Sequence, residues 1–161
     1  MIEPLAALGA RIGAKLKGRG ETIAVADGAT GGLISAGLLT VAGATGFYLG
    51  GGIIYSRRGR DILLDVDPSE LRGMKAVTDE YALLQARAIR DRFGAVWGIA
   101  ESGSAGPTHP SGVPAGRSCI AVVGPKGSVV RQVETGREDR LANMEAFAIA
   151  ALVFLDEQLS D

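Results

Sequence analysis

A strand, a glycine-rich turn and a helix are predicted in immediate succession over residues 22–40, and this stretch restricts the fold more than any other. Residues 22–26 are a short apolar and β-branched run, typical of one buried strand. Three of the six residues in the following turn, 27–32, are glycine. Leucine and isoleucine then recur at helical spacing over 31–41. Such a unit is characteristic of open α/β sheets, which bind ligands at the carboxyl ends of their strands.

The turn itself is predicted to be a ligand cradle. Glycine permits positive φ and a close approach of backbone to ligand, and the start of the helix directs free N–H groups and a positive dipole end at a phosphate or carboxylate. Neither the dinucleotide fingerprint nor a P-loop is present. Two structural readings stay open: Gly31 and Gly32 serve only tight packing, and Asp27 caps the helix rather than touching a ligand.

Composition restricts the class of protein. A chain of 161 residues with 47% hydrophobic and 22% charged residues fits one globular domain, 1–161. Its net charge of -1, without a cluster of basic residues, argues against nucleic-acid and membrane partners. The single Cys119 and single His109 argue against a disulfide and a protein-only zinc site, and no cofactor is expected. With neither a signal peptide nor an apolar run of membrane length, we expect a cytoplasmic protein.

The remaining segments predict a three-layer α/β/α sandwich with a mixed, mostly parallel sheet containing at least one antiparallel strand. Arg57 and Arg58 are predicted to form a solvated turn, whereas Arg60 is expected to face the cradle. Cys119 is expected in the core rather than as a nucleophile. Further helices are predicted over 4–17, 62–66, 78–93 and 138–159, strands over 50–56, 95–100, 117–123 and 128–134, and a long glycine- and serine-containing loop over 101–116.

Five short blocks, in order along almost the whole chain, resemble the C-terminal domain of the CinA (competence/damage-inducible protein) family. The family motif A-E-S-C-T-G-G corresponds to residues 26–32, and its G-A-S block followed by an aromatic residue, a glycine and Y-S corresponds to 43–56. Its helix entry G-A-V-S-E-E is similar to residues 75–80. Its S-G-I-A-G-P loop and its P-V-G segment correspond to 102–107 and 114–116.

The resemblance implies a three-layer α/β/α fold, a homo-oligomer, and hydrolysis of the amide of nicotinamide mononucleotide to nicotinate mononucleotide and ammonia. It also implies a serine nucleophile and an activating lysine, whose positions Gly28 and Arg60 occupy here. Arginine stays protonated and cannot act as a base at neutral pH. The resemblance also implies a basic residue in the last helix. Arg137 and Arg140 lie near that place, but the register puts Leu141 or Ala142 at the position itself.

Three functions therefore stay open. The first is a domain that keeps a pocket for a small molecule, with a pyridine mononucleotide implied by the resemblance, but has lost amide hydrolysis. The second is an amidohydrolase with Thr30, Ser102 or Ser104 as nucleophile, Asp27 as base and Tyr55 as a further catalytic candidate. The third is a structural or interaction protein. The predicted binding residues are Gly28, Ala29, Thr30, Gly31, Gly32, Tyr55, Arg60, Ser102, Gly103, Ala105 and Gly106.

Overall fold

The computed structural model of the protein describes residues 2–109 and 111–160, so three residues of the predicted domain 1–161 lie outside the described residues. The helices are α1 (Glu3–Arg19), α2 (Leu33–Leu39), α3 (Arg57–Leu64), α4 (Asp79–Phe93) and α5 (Arg140–Leu159). The strands are β1 (Ile23–Asp27), β2 (Tyr48–Ile53), β3 (Trp97–Ser104), β4 (Arg117–Gly124) and β5 (Gly127–Glu134). Short 3-10 turns occupy Ala44–Gly46 and Pro68–Leu71.

The five strands form one sheet in the order β2-β1-β3-β4-β5. β1 pairs in parallel with β2 and β3, while β4 is antiparallel to both of its neighbours. The predicted mixed sheet is therefore confirmed, with β4 as the antiparallel strand. Because β1, β2 and β3 run in the same direction, their carboxyl ends meet at one edge, and the segments that follow them lie side by side there.

Helices cover both faces of this sheet, which confirms the predicted three layers. Alternate residues of β1 point to opposite sides, as the period of a strand requires. Ile23 and Val25 belong to the core beneath α1, α2 and α5, whereas Ala24 and Ala26 belong to the core beneath α4. On the α4 side the sheet presents mainly alanine, and this lets the helix lie close to the strands.

Two boundaries differ from the prediction around the second strand. β2 ends at Ile53 rather than at residue 56, because its pairing with β1 ends where β1 ends, at Asp27. Ser56 instead caps α3, since its hydroxyl accepts the N–H of Gly59 at 3.0 Å. Arg57 and Arg58 are exposed, as predicted, but they form the first turn of a helix rather than a turn before it. That helix was predicted over 62–66 and spans Arg57–Leu64 instead.

The third strand is longer than predicted. Residues 101–104, predicted as the start of a loop, continue β3 because each of them pairs with β4, up to Ser104 opposite Arg117. At the central turn, α2 begins at Leu33 rather than at residue 31. Gly31 and Gly32 have φ angles of 65° and 103°, in a region that favours glycine and ends helical geometry.

The hairpin between β4 and β5 and the caps of α4 are as predicted. Gly124 pairs with Gly127 across the turn. Thr78 accepts the N–H of Tyr81 at 3.3 Å, and Gly94 ends the helix in the left-handed conformation. Among the described residues, no helix combines the length and the apolar character needed to cross a membrane.

Candidate functional site

A cavity of about 200 Å³ opens at the edge of the sheet where the three parallel strands end. Gly28 and Ala29 line it after β1, Ile54 and Tyr55 after β2, and residues 102–105 at the end of β3. It is smaller than the roughly 300–1,000 Å³ usual for drug-sized ligands. A larger hollow of about 700 Å³ lies along the outer surface of α4 and contains none of these strand-end residues.

Basic side chains stand at the rim of this cavity. Arg140, the first residue of α5, donates from Nη1 to the carbonyl of Gly106 at 2.7 Å and from Nη2 to the hydroxyl of Tyr55 at 2.8 Å. Arg57, on the first turn of α3, and His109 also line the cavity, whereas none of the described lining residues is acidic. Arg137 lines a separate hollow behind it. Arg140 is therefore the basic residue of the last helix that reaches the site.

Tyr55 lies at this rim with its ring mostly in solvent, at 69% exposure. The sequence predicts Tyr55 as a binding residue and as a catalytic candidate. The ring is not in the core, but the hydroxyl does lie at the rim, where it accepts a hydrogen bond from Arg140.

Asp27 is a structural cap for α2. Its Oδ1 accepts the Thr30 hydroxyl at 2.5 Å and the Ile34 N–H at 3.0 Å. Its Oδ2 accepts both the N–H and the hydroxyl of Ser35, at 3.2 and 2.9 Å. Asp27 and Thr30 are 1% and 0% exposed and do not line the cavity. The contacts of Asp27 thus agree with its interpretation as a helix cap. The buried hydroxyl of Thr30 donates to Asp27 and belongs to the same set of hydrogen bonds.

A second buried carboxylate, which the sequence analysis missed, lies behind the turn. Glu101, on β3, is 0% exposed. Its Oε1 accepts the N–H groups of Gly28 and Thr30 at 3.2 and 2.9 Å, and its Oε2 accepts the Ser118 hydroxyl at 2.7 Å. Burial raises the pKa of Glu101, although these hydrogen bonds act in the opposite direction. The sequence did contain a signal for this residue. Glu101 directly follows the apolar residues 97–100, at the point where β3 reaches the edge of the sheet.

These two carboxylates change the prediction for the central turn. The N–H groups of residues 28 and 30 are bonded to Glu101, and those of residues 34 and 35 are bonded to Asp27. The expectation of free N–H groups is therefore wrong for these four positions, because the chain's own carboxylates accept their hydrogen bonds.

Gly28 leaves no space for a side chain. A Cβ atom built on it would overlap the backbone carbonyl oxygen of Glu101 and would lie 3.2 Å from Oε1. This neighbour belongs to a central strand and cannot rotate away. Gly31 and Gly32 serve the backbone turn through their positive φ, and neither lines the cavity.

Arg60 lies beside the cavity rather than in its lining. Its guanidinium bonds to Asp61, with Nε and Oδ1 3.0 Å apart, and it interacts electrostatically with Tyr81. Partial burial acts to lower the pKa of Arg60, but the hydrogen bonds with Tyr81 and Asp61 outweigh it and raise that pKa. Arg60 therefore stays charged and supports Tyr81, which itself lines the cavity.

The end of β3 supplies the opposite wall. Ser102 lines the cavity, and its hydroxyl accepts the N–H of Val77 at 2.9 Å. Val77 has a φ of 58°, a strained conformation for a β-branched residue, and the bond from Ser102 helps to hold it there. Ser104 lies beside it and donates to the carbonyl of Val113 at 3.5 Å. Gly103 and Ala105 also line the cavity.

The other chemical groups that the sequence singled out are accounted for structurally. Cys119 is buried, and burial raises the pKa of its thiol to about 12, so it stays protonated, as expected of a core residue. Gly106 does not line the cavity but presents its carbonyl to Arg140. Within residues 2–109 and 111–160, no group of three or more His, Cys, Asp or Glu side chains is placed to hold a metal ion.

The architecture and the site define an α/β/α sandwich domain with a concave site at the carboxyl edge of its parallel strands. The sequence profile of the CinA C-terminal domain matches residues 5–159. The chain therefore belongs to the CinA family.

Known relatives agree with this membership. A CinA-like protein of Prochlorococcus marinus is 40% identical over 150 residues, which cover 91% of this chain and 34% of that protein. A putative competence-damage inducible protein of Desulforamulus reducens is 36% identical over 121 residues, or 75% of this chain and 29% of that protein. The chain thus spans about a third of the length of the curated relatives it matches.

Solved structures agree as well. The crystal structure of a competence-damaged protein (CinA) superfamily protein from Enterobacter cloacae superposes with a TM-score of 0.89. Its sequence is 28% identical, and the match covers 97% of this chain and 92% of that one.

Proposed function

We propose that this CinA domain binds a small anionic ligand of the pyridine mononucleotide class and does not hydrolyse its amide. The observation that carries the proposal is the contact between Gly28 and the carbonyl of Glu101, which excludes a side chain at the position where the family resemblance implies the nucleophile. Arg60, at the position where the resemblance implies the lysine, is paired with Asp61. Neither the serine nor the lysine that the resemblance implies is present at its position.

Binding is supported by the charge and shape of the rim. Arg57, Arg140 and His109 line a cavity whose described lining contains no acid, so a phosphate at the rim gains charge-assisted hydrogen bonds. The Arg140 guanidinium is already oriented by Gly106 and Tyr55, and this reduces the entropy lost when it binds a ligand.

Calorimetry with nicotinamide mononucleotide tests the binding half. Arg140→Ala is expected to weaken binding roughly ten- to hundredfold, because a charged hydrogen bond contributes about 1.5–3 kcal/mol. Arg137→Ala is the matched control, since that arginine lies at the same end of the fold but lines a different hollow. Nicotinamide riboside, which lacks the phosphate, should bind weakly to all three proteins. Equal binding by the wild type and Arg140→Ala would refute the site.

Ammonia release tests the catalytic half. The wild-type protein is expected to release none from nicotinamide mononucleotide. One alternative has structural support, because Ser102 and Ser104 both line the cavity. Ammonia release that Ser102→Ala or Ser104→Ala abolishes would establish a hydrolase with a serine from β3. Release that Thr30→Val or Asp27→Asn alone abolishes would instead contradict the burial of those two residues.

A further inference from the structure

The buried carboxylate of Glu101 lies directly behind the cavity wall that Gly28 and Gly103 form. A Cβ atom on Gly28 would lie 3.2 Å from Oε1, and one on Gly103 would overlap Oε2. Both glycines line the cavity. The two glycines therefore reduce the separation between the carboxylate and the cavity to the thickness of a backbone.

The hydrogen bonds of Glu101 favour its ionised form. Two N–H groups and one hydroxyl are directed at its oxygens, and no described cationic side chain bonds to it. Burial raises the pKa of Glu101, with a smaller contribution in the same direction from Asp27 on β1. Its other titratable neighbour is the Cys119 thiol on β4, and α5 presents the apolar ring of Phe147. In its ionised form the carboxylate has only dipoles around it, so the field of the charge extends into the cavity.

Positive side chains line the same cavity. Arg57 and Arg140 belong to α3 and α5, and Nη2 of Arg140 donates to the hydroxyl of Tyr55. The cavity therefore has a negative wall at its two glycines and a positive rim at its two arginines. A ligand that matches this arrangement carries its anionic group at one end only.

We propose that Glu101 is a specificity-determining residue whose carboxylate makes the glycine wall negative, so that the cavity accepts a cationic ring there and rejects a ring that bears a carboxylate. This inference rests on the function proposed above. It deepens that function by naming the feature of the ligand that the site distinguishes. Glu101 acts through its charge and through the backbone of Gly28, without touching the ligand.

Nicotinamide and nicotinate mononucleotides form a suitable pair of probes, because they differ only by an amide and a carboxylate on the same pyridinium ring. The wild type is expected to bind the amide form about tenfold more tightly, the size of effect that two charges several ångströms apart produce near a protein surface. Glu101→Gln keeps an acceptor for the two N–H groups but removes the charge. It should bring the two affinities close to equality.

A measurement without ligand tests the charge itself. In a ¹H–¹⁵N titration of the wild type, the amide signals of Gly28 and Thr30 should move together with one transition below neutral pH. Glu101→Gln should abolish that transition, whereas Asp156→Asn, which removes a buried carboxylate paired with Arg11 and Lys15, should preserve it. Ser118→Ala removes one hydrogen-bond donor and should move the transition to higher pH, which gives a second variant if Glu101→Gln does not fold.

The outcomes separate this inference from the proposed function. If nicotinamide mononucleotide binds but nicotinate mononucleotide binds equally well to the wild type, the role of Glu101 is overturned and the proposed function stands. A transition of the two amides above neutral pH would overturn it too, since Glu101 would then be uncharged. If neither nucleotide binds, the proposed function fails and the inference fails with it.

Discussion

A single hydroxymethyl group at position 28 should destabilise this chain, because its own packing leaves no space there for a Cβ atom. In Gly28→Ser the new Cβ atom would overlap the carbonyl oxygen of Glu101. That oxygen belongs to β3, which lies between β1 and β4 in the sheet. Relief requires the turn to move away from β3, and this movement would weaken the bonds from the N–H groups of residues 28 and 30 to Glu101.

The expected loss of stability in Gly28→Ser follows from the rigidity of the Glu101 backbone. Overpacking a closely packed site costs about 1–3 kcal/mol, and a backbone obstacle places this change near 3 kcal/mol. For a domain of this size, that loss lowers the melting temperature by roughly 6–12 °C. Adding Arg60→Lys should not restore ammonia release from nicotinamide mononucleotide, because the serine cannot take up a productive position without moving a strand.

Urea denaturation and calorimetry of Gly28→Ser measure the loss directly. Gly18→Ser is the matched control, because Gly18 lies in α1 with no atom near the position of its Cβ. That control should gain about 0.5 kcal/mol from the better helix propensity of serine. If Gly28→Ser is as stable as the wild type, or if the double variant releases ammonia, the reasoning about position 28 is wrong.

Three further outcomes are expected. Asp27→Asn should lower the free energy of unfolding by about 1–3 kcal/mol, because the cap of α2 loses charge-assisted bonds; an unchanged urea midpoint would contradict this role. Burial raises the pKa of the Glu101 carboxyl above its usual 4.5, so the folded state binds the carboxyl proton more tightly than the unfolded state does. The free energy of unfolding should therefore fall as the pH rises from about 4.5 through the folded-state pKa. Urea titrations of Glu101→Gln should not show this fall. If the stability of Glu101→Gln changes with pH in the same way as that of the wild type, Glu101 is not the group responsible. Cys119 should resist alkylation at pH 8 until the protein unfolds, because its thiol is buried with a pKa of about 12; rapid labelling of the native protein would show otherwise.

Much of the fold could be predicted from local patterns. The helix over 79–93 has a threonine before it and a glycine after it, and both caps are formed by the residues that the pattern indicates. The hairpin between residues 124 and 127 follows from a proline and a glycine within the turn. These features depend on neighbours in the chain, so the chain alone contains the necessary information.

The errors occur where pairing with a distant strand decides the outcome. Residues 101–104 look like a loop by composition, yet β4 extends β3 through all of them. Residues 54–56 look like the end of a strand, yet β1 has already ended at Asp27 and leaves no partner beyond Ile54. Partners that lie far away in the chain leave no local signature.

For the site, the sequence by itself determined which chemical groups the edge of the sheet could offer. Gly28 and Arg60 are recognisable in the sequence as departures from the family motif. The sequence also indicates that Asp27 can cap the following helix. The tertiary structure decided how these groups are used. It directs Glu101 at the N–H groups of residues 28 and 30, and it brings Arg140 across the fold to Tyr55, a residue 85 positions away. Hydrogen bonds and electric fields depend on distance in space, and only the folded chain sets that distance.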